Sequence, residues 1–448
     1  MNHTENQKLL GAIDIGTTKI VSVIGRKNTE GRFEILGMGT CPSYGVKRGL
    51  VMNIEETVSS IRTAISKMSD GTNLNTEDVV VGIAGQHVKS IKNTMKIPIR
   101  AKDGTIHEQD MLYLKNRMFD TQVGAGESIL HVIPQHYRIN GKDTVENPVG
   151  WVAKELEGTF HLVVGKLSSM ENLKNCVGRV DKSVEKLILE PLASADAVLS
   201  MREKEMGVAL VDIGGGTTDV AVYQNKTLQH TAVIPFGGNV VTSDIKQAFH
   251  VLASQAEELK IQYGAAIQSK TQKDITIQVP GIKGREAKDI SLNDLVYVIQ
   301  ERMKEIVYAI KFQIEESGYA DNLGAGIVLT GGGALLKNLS QLIKAITGFD
   351  VIVGYPREHI FGPFSDEVNE PMFSTAVGLI IQYDQILAQQ AHEVNIPDSL
   401  YEDEKKPEAE DGEDPESPKQ KPKRGKFFEK IKNKIAKSLD DDDDFDNE

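Results

Sequence analysis

Apolar runs rich in β-branched residues, each broken by a short polar tip and then resumed, occur twice along the 448-residue chain. Residues 211–223 pass from Val211 and Ile213 through three glycines and two threonines into Val220, Ala221 and Val222, the pattern of two strands joined by a tight turn. Residues 9–24 repeat it, with Asp14 aligning on Asp212, Gly16 on the glycine run, and Thr17 and Thr18 on Thr217 and Thr218. An ordinary turn would explain one such hairpin. The repetition argues for an internal duplication.

Elsewhere the spacing predicts alternating helices and strands. Ile54, Val58, Ile61 and Ile65 recur at helical spacing over 54–68, and 79–84 is the continuous apolar run of a buried strand, which together suggest a first α/β layer. Over 85–161 charged positions become frequent, and a helix at 108–119 with strands at 129–133 and 160–164 indicates a small inserted α+β subdomain. A helix over 169–180, a strand over 186–191 and a helix over 192–199 lead into the second hairpin. The small residues Ala193, Ala195 and Ala197 would let that last helix approach a neighbour closely. Beyond it, Gly237, Gly238 and Asn239 open a helix, and a further helix carrying Glu257, Glu258 and Lys260 ends near Gly264. A β-rich piece at 275–281 precedes an amphipathic helix over 292–316. Residues 327–336 read as a strand delivering Gly331, Gly332 and Gly333 to a helix N-terminus, and 371–380 as a helix with small residues along one side.

The net charge of −13 is unevenly spread. Residues 393–420 hold eleven acids and three bases, 421–439 eight bases and one acid, and 440–448 seven acids, so the body is only mildly acidic. Residues 397–424, rich in Glu, Asp, Pro and Lys, cannot bury enough apolar surface to order themselves. In 425–439, Phe427, Phe428, Ile431, Ile435 and Leu439 share one helical face, and Lys430, Lys432, Lys434 and Lys437 occupy the rest. That is the composition of a helix lying in a membrane interface, too short to span a bilayer; a helix packing on this chain or on a partner is the alternative. The aspartates at 440–444 oppose an anionic membrane and the helix dipole alike. Residues 1–8 have no apolar signal region, and no run approaches eighteen apolar residues, so the expectation is a chain kept in the cytosol. Cys41 and Cys176 belong to no CxxC pattern, and His87, His107, His131, His136 and His161 have no metal-ligand spacing.

Glycine-rich tips let backbone N–H groups approach an anion without a Cβ in the way, threonine hydroxyls add donors, and an aspartate at the strand end can hold Mg²⁺ through water. Gly11 and Gly16 have P-loop spacing, but Thr17 stands where the lysine should be, and no GxGxxG opens a helix. The order of five pieces, at residues 14–19, 189–197, 212–219, 330–334 and 374–378, resembles the phosphate 1, connect 1, phosphate 2, adenosine and connect 2 motifs of the actin/Hsp70/sugar-kinase ATPase superfamily. The resemblance implies an α/β fold, actin-like, with two RNase H-like domains around a nucleotide cleft and Mg-ATP clamped between the hairpins. Asp14 and Asp212 look like the holders of Mg²⁺ through water. Gly16, Thr17, Thr18 and Lys19, with Gly214, Gly215, Gly216, Thr217 and Thr218, look like the phosphate clamps. Gly331, Gly332, Gly333 and Ala334 look like the nucleoside floor, with Gly237, Gly238 and Asn239 at a second turn, and Glu258 and Lys260 as adenosine contacts. No catalytic residue is assigned, and ATP hydrolysis is expected to be slow at most.

A sugar kinase would need an aspartate base beside a hydroxyl acceptor, for which no supporting motif is present, and an Hsp70 would continue into a β-type domain. A soluble phosphotransferase or a chaperone-like ATPase remains the alternative. The inserted subdomain together with the linker and amphipathic tail makes the chain similar to the FtsA family of bacterial cell-division proteins. That similarity implies subdomain 1A at 1–84, 162–200 and 355–392, 1C at 85–161, 2A at 201–240 and 311–354, and 2B at 241–310. A disordered acidic linker would follow at 393–424, then a membrane-targeting helix at 425–439 and an acidic tail at 440–448. It implies a polymer on the inner face of the membrane that binds anionic lipids. It also implies tethering of the tubulin-like division GTPase, whose C-terminal tail docks on 2B, and recruitment of other division proteins through 1C. No nucleic-acid partner is expected.

Overall fold

The duplicated pattern folds into two sheets of one topology. In the first, Leu10–Ile15 and Lys19–Lys27 pair antiparallel, Phe33–Pro42 adds antiparallel beyond them, and Asp78–Ile83 and Ser183–Leu189 join in parallel on the other side. In the second, Val208–Ile213, Thr218–Gln224 and Thr227–Ile234 form the antiparallel part, and Ile327–Thr330 and Val351–Val353 the parallel part. The computed structural model describes residues 8–393 except 71, 73, 269–273, 282 and 284. The amphipathic segment 425–439, the acidic tail and nearly all of the linker lie outside the described residues.

The central strands are apolar on both faces, so each sheet must be covered twice. Ile54–Ser69 covers one face of the first sheet, burying Val58, Ile61 and Ala64 with Ile13 and Ile20. Its first turn is capped by Asn53, whose side chain accepts from the Glu56 N–H at 3.3 Å. The other face is covered by Ser374–Glu393 and Glu190–Val198. These two helices cross at Gly378, where a Cβ would stand 1.8 Å from the Ala193 carbonyl oxygen, so no other residue permits the contact. Over Leu292–Glu316, Leu295, Ile299, Met303, Ile306, Ile310 and Ile314 bury one stripe at intervals of three and four residues.

Most element ends move by a few residues from the sequence expectation, and three of these shifts have a local cause. The strand expected over 186–191 ends at Leu189, because Glu190 and Pro191 already form the first helical turn, where proline's missing N–H costs nothing. After Ile327–Thr330 the glycines make only a 3₁₀ turn, Gly332–Leu335, since Gly331 (φ 81°) and Asn338 (φ 63°) both interrupt helical geometry before Leu339–Thr347. The last helix is likewise preceded by a 3₁₀ turn, Pro371–Phe373.

The insert is a four-stranded antiparallel sheet of Val88–Pro98, Glu155–Lys166, Glu127–Ile139 and Asp143–Val145. Helix Glu108–Phe119 buries Leu114 and Met118 against its core, where the Tyr137 and Phe160 rings meet edge to face at 6.0 Å. Its chain leaves the first sheet, yet its side chains bond the edge strand of the second. The Gln135 amide donates to the Leu228 carbonyl at 3.3 Å, and His161 Nε2 lies 3.1 Å from Thr231 Oγ1.

Where the chain passes between domains, Lys204 is buried, 6 % exposed, on helix Met201–Met206. Its ammonium lies 2.5 Å from Asp196 Oδ1 and 5.1 Å from the centre of the Tyr223 ring, and the Gln382 amide donates to Asp196 Oδ2 at 2.5 Å. Removing one partner of such a pair strands a charge away from water. Asp196→Ala is expected to destabilise the fold by about 3–5 kcal/mol in denaturant unfolding, with Asp196→Asn costing less.

Candidate functional site

The two hairpin tips meet face to face. Ile15 pairs with Ile20 and Ile213 with Thr218, so both tips contain four residues and Thr17 and Thr18 are the counterparts of Gly215 and Gly216. Aligning Thr17 and Thr18 on Thr217 and Thr218, as the sequence suggests, therefore shifts the true register by two positions. Counterparts contact reciprocally. A Cβ on Gly215 would stand 1.7 Å from Thr18 Oγ1, and one on Gly216 2.5 Å from Thr17 Oγ1, so threonine on one tip requires glycine on the other.

Each tip is also anchored. The Gly214 N–H donates to the Thr217 carbonyl at 2.9 Å, while the Gly238 and Asn239 N–H groups donate to the carbonyls of Gly214 (2.9 Å) and Gly215 (2.8 Å). This fastens the second tip to the N-terminus of helix Gly238–Phe249. Thr18 Oγ1 reaches Asn239 Oδ1 at 3.5 Å, and the Gly49 N–H reaches Thr17 Oγ1 at 3.3 Å.

Beside the tips lies a cavity of about 490 Å³. Gly16, Thr17, Thr18, Lys19, Gly214, Gly215, Gly216 and Thr217 line it, with Gly238, Asn239, Lys260 and the floor of Gly331, Gly332 and Gly333. Gly331 has φ 81°, and a Cβ there would lie 2.2 Å from Asp212 Oδ1. Ile261 (69 % exposed) and Leu335 (47 %) add exposed apolar side chains to the lining. Four expected residues lie off the lining. Thr218 is buried and donates to the Phe236 carbonyl at 2.8 Å, Gly237 packs under Gly214, and Ala334 is buried beneath the floor. Glu258 is exposed and accepts from the Gln262 amide at 3.0 Å. Its neighbour Glu257 lines the cavity instead, because one helical residue turns the side chain by about 100°.

Acidic groups outnumber basic ones in the lining of the cavity. Asp14, Glu190, Asp212 and Asp219 all line it. Burial pushes Asp14 up to about 6, with Lys19 opposing and Asp212 adding to the shift. Burial, then repulsion from Asp212, the residue directly across the hairpin, pushes Asp219 up to about 8. Burial raises Asp212 against the hydroxyl of Ser194, and it raises Glu190 well above the carboxylate range, with Asp14 adding next. Burial lowers Lys19, although Asp14 and Asp212 favour its charge. Its ammonium donates to the Met372 carbonyl and stands 4.5 Å from the centre of the Phe373 ring. Lys260 donates to the Gly238 carbonyl (3.0 Å), Thr242 Oγ1 (2.8 Å) and Glu257 Oε2 (2.6 Å), so its charge is partnered locally. Asp219 Oδ2 accepts from Thr217 Oγ1 at 3.2 Å, whereas the buried Oδ1 has no partner among the described residues. Converging acids, an orphaned carboxylate oxygen and a Cβ-free cradle fit a polyphosphate carrying a divalent cation.

Glu190, Asp219, Ser194, Thr375 and Glu257 were not among the candidates drawn from the sequence. Glu190, Ser194, Asp219 and Thr375 do fall within the segments 189–197, 212–219 and 374–378, and Glu257 lies on the helix of Glu258 and Lys260, but none of the five is singled out there as a site residue. Glu190 has the further signal of a carboxylate closing an apolar strand immediately before Pro191. Ser194 and Thr375 reach the site through the crossing of helices Glu190–Val198 and Ser374–Glu393, Asp219 through its pairing with Asp212, and Glu257 through the rotation of helix Ala253–Tyr263.

A family model described as "Cell division protein FtsA" matches residues 209–378, and one described as "SHS2 domain inserted in FTSA" matches residues 85–164. The cell division protein FtsA of Pseudomonas aeruginosa is 36 % identical over 381 residues, which span 85 % of this chain and 90 % of that protein. Among solved structures, the PilM-PilN type IV pilus biogenesis complex aligns with a TM-score of 0.60 at 15 % identity, covering 83 % of this chain and 98 % of that one. MreB5 of Spiroplasma citri bound to ADP aligns at 0.53 and 14 % identity, covering 86 % and 98 %. At such identities the structural likeness establishes the actin-like fold alone, but the extent and identity of the sequence match establish more: the chain belongs to the FtsA family of cell division proteins.

Proposed function

We propose that the protein binds Mg-ATP between its two hairpins and, in the state the nucleotide sets, polymerises on the inner face of the cell membrane at the division site. There it tethers the tubulin-like division GTPase and recruits later division proteins. The observation that carries the nucleotide part of this reading is the reciprocal meeting of the tips over the floor of Gly331 to Gly333, and membership of the FtsA family supports the division part. The backbone of both tips cradles the phosphates, Asp14 and Asp212 hold Mg²⁺ through water, and Ile261 and Leu335 cover the base. Bound Mg²⁺ supplies the positive charge that lets these acids ionise beside a polyphosphate. Lys19 orients the first tip through the Met372 carbonyl.

In this reading attachment to the membrane rests on 425–439, with Phe427, Phe428, Ile431, Ile435 and Leu439 in the interface and Lys430 and Lys434 toward anionic headgroups. The GTPase tail is assigned to subdomain 2B, roughly 241–310, and later partners to the insert, 85–161. Among the described residues no helix is long and apolar enough to cross a membrane.

Asp14→Asn and Asp212→Asn are each expected to weaken Mg-ATP binding at least tenfold, about 1.4 kcal/mol, by isothermal titration calorimetry. Failure of the unaltered protein to bind Mg-ATP would overturn the reading. Deleting 425–448 is expected to abolish sedimentation with anionic liposomes while leaving nucleotide affinity intact; persistent sedimentation would remove the tail's role.

The acids also impose a pH dependence. Asp14 and Asp219 keep their protons to about 6 and about 8 when folded, against 3.8 when exposed. Their contribution to stability is complete below 3.8 and is lost as pH rises through those folded values. The ligand-free protein should therefore lose stability between pH 6 and 8 through this cluster, and Mg-ATP, which favours the ionised acids, should raise the melting temperature more at pH 8 than at pH 6. Equal shifts at both pH values would contradict this.

A further inference from the structure

Among the described residues, side-chain hydrogen bonds reach the Asp212 carboxylate at Oδ2 alone. Ser194, fully buried at 0 % exposure on helix Glu190–Val198, donates to Asp212 Oδ2 at 2.7 Å. Thr375, on helix Ser374–Glu393, stands 2.9 Å from Ser194 Oγ and 3.4 Å from the same Oδ2. A hydroxyl has one proton to give. Ser194 directs its proton to the carboxylate at the shorter distance, so the proton of Thr375 falls chiefly on Ser194. The result is a relay, Thr375 to Ser194 to Asp212, that converges on Oδ2 and leaves Oδ1 as the oxygen beside Gly331 in the cleft floor. Its three members come from the second-domain strand Val208–Ile213 and from the two helices that cross at Gly378.

We propose that Ser194 and Thr375 are positioning residues that lock the Asp212 carboxylate so that Oδ1 is presented to the hydrated cation of the nucleotide. Ser194 does so from outside the cavity lining, and Thr375 acts mainly through Ser194. The proposal rests on the Mg-ATP reading of this cleft. A carboxylate turns about a broad torsion, so without the relay the carboxylate plane swings and the oxygen facing the cation is no longer held at one position. Groups that orient a metal-holding side chain typically affect metal affinity by about 10–100-fold when removed. Because the hydroxyls act on the cation and not on the base or the phosphate cradle, their loss reduces the Mg²⁺ dependence of nucleotide binding more than binding itself.

The test is the ratio of ATP affinity measured with Mg²⁺ to that measured with EDTA, on the full-length chain. Ser194→Ala is expected to lower this ratio by about tenfold while affinity in EDTA stays within about twofold of the unaltered protein. Thr375→Val should lower it by less, Thr375→Ser should restore it, and the double variant should be no worse than Ser194→Ala alone, because one hydroxyl works through the other. Should Ser194→Ala fail to fold, the comparison of Thr375→Val with Thr375→Ser reads the same relay. An unchanged ratio in folded variants, or equal losses in Mg²⁺ and EDTA, overturns the proposal while leaving the Mg-ATP reading standing. An unaltered protein with no Mg²⁺ dependence overturns both.

Discussion

Two hairpins facing each other cannot both carry side chains at the point where they touch. Thr17 and Thr18 on the first tip are met by Gly216 and Gly215 on the second, and that asymmetry between duplicated halves allows the two sheets to close on one another. Closure in turn buries the strand ends from which Asp14 and Asp212 project. The same register places Lys19 opposite in role to Thr217, and Val21 to Asp219, so divergence of the halves set one lysine against a surplus of acids. Burial then makes every one of those acids hard to ionise, a state that a cation relieves.

Holding such a cleft requires that the passage between domains be fixed. Helices Glu190–Val198 and Ser374–Glu393 make that passage, in contact where Gly378 meets Ala193. Each sends a hydroxyl to Asp212, and the Asp196, Lys204 and Gln382 cluster ties the same helices to the start of the second domain. Thr330 and Ser374, 2.6 Å apart, link the floor to the last helix. The insert adds a further tie, since its chain belongs to the first sheet and its side chains bond Leu228 and Thr231 on the edge of the second. A change in cleft opening must therefore pass through, or move, all of these contacts.

Periodicity by itself determined a good deal. The helices at 108–119 and 292–316, the buried strand near 79–83 and the repeated hairpin follow from apolar spacing and from glycine, because these are local consequences of backbone geometry. The glycines of the tips and floor were equally legible, since few other residues tolerate such a chain path, whereas the threonines were legible as tip residues but not in their register. Tertiary structure alone decided the register of the duplication, which needs strand pairing to count the tip residues, and the choice of Glu257 over Glu258, which needs the helix's rotation. It alone assembled Glu190, Ser194, Asp219 and Thr375 around Asp212. Those residues stand up to 185 positions apart in the chain, between Glu190 and Thr375, and only the crossing of two helices and the pairing of two strands brings their side chains within hydrogen-bonding and Coulombic range.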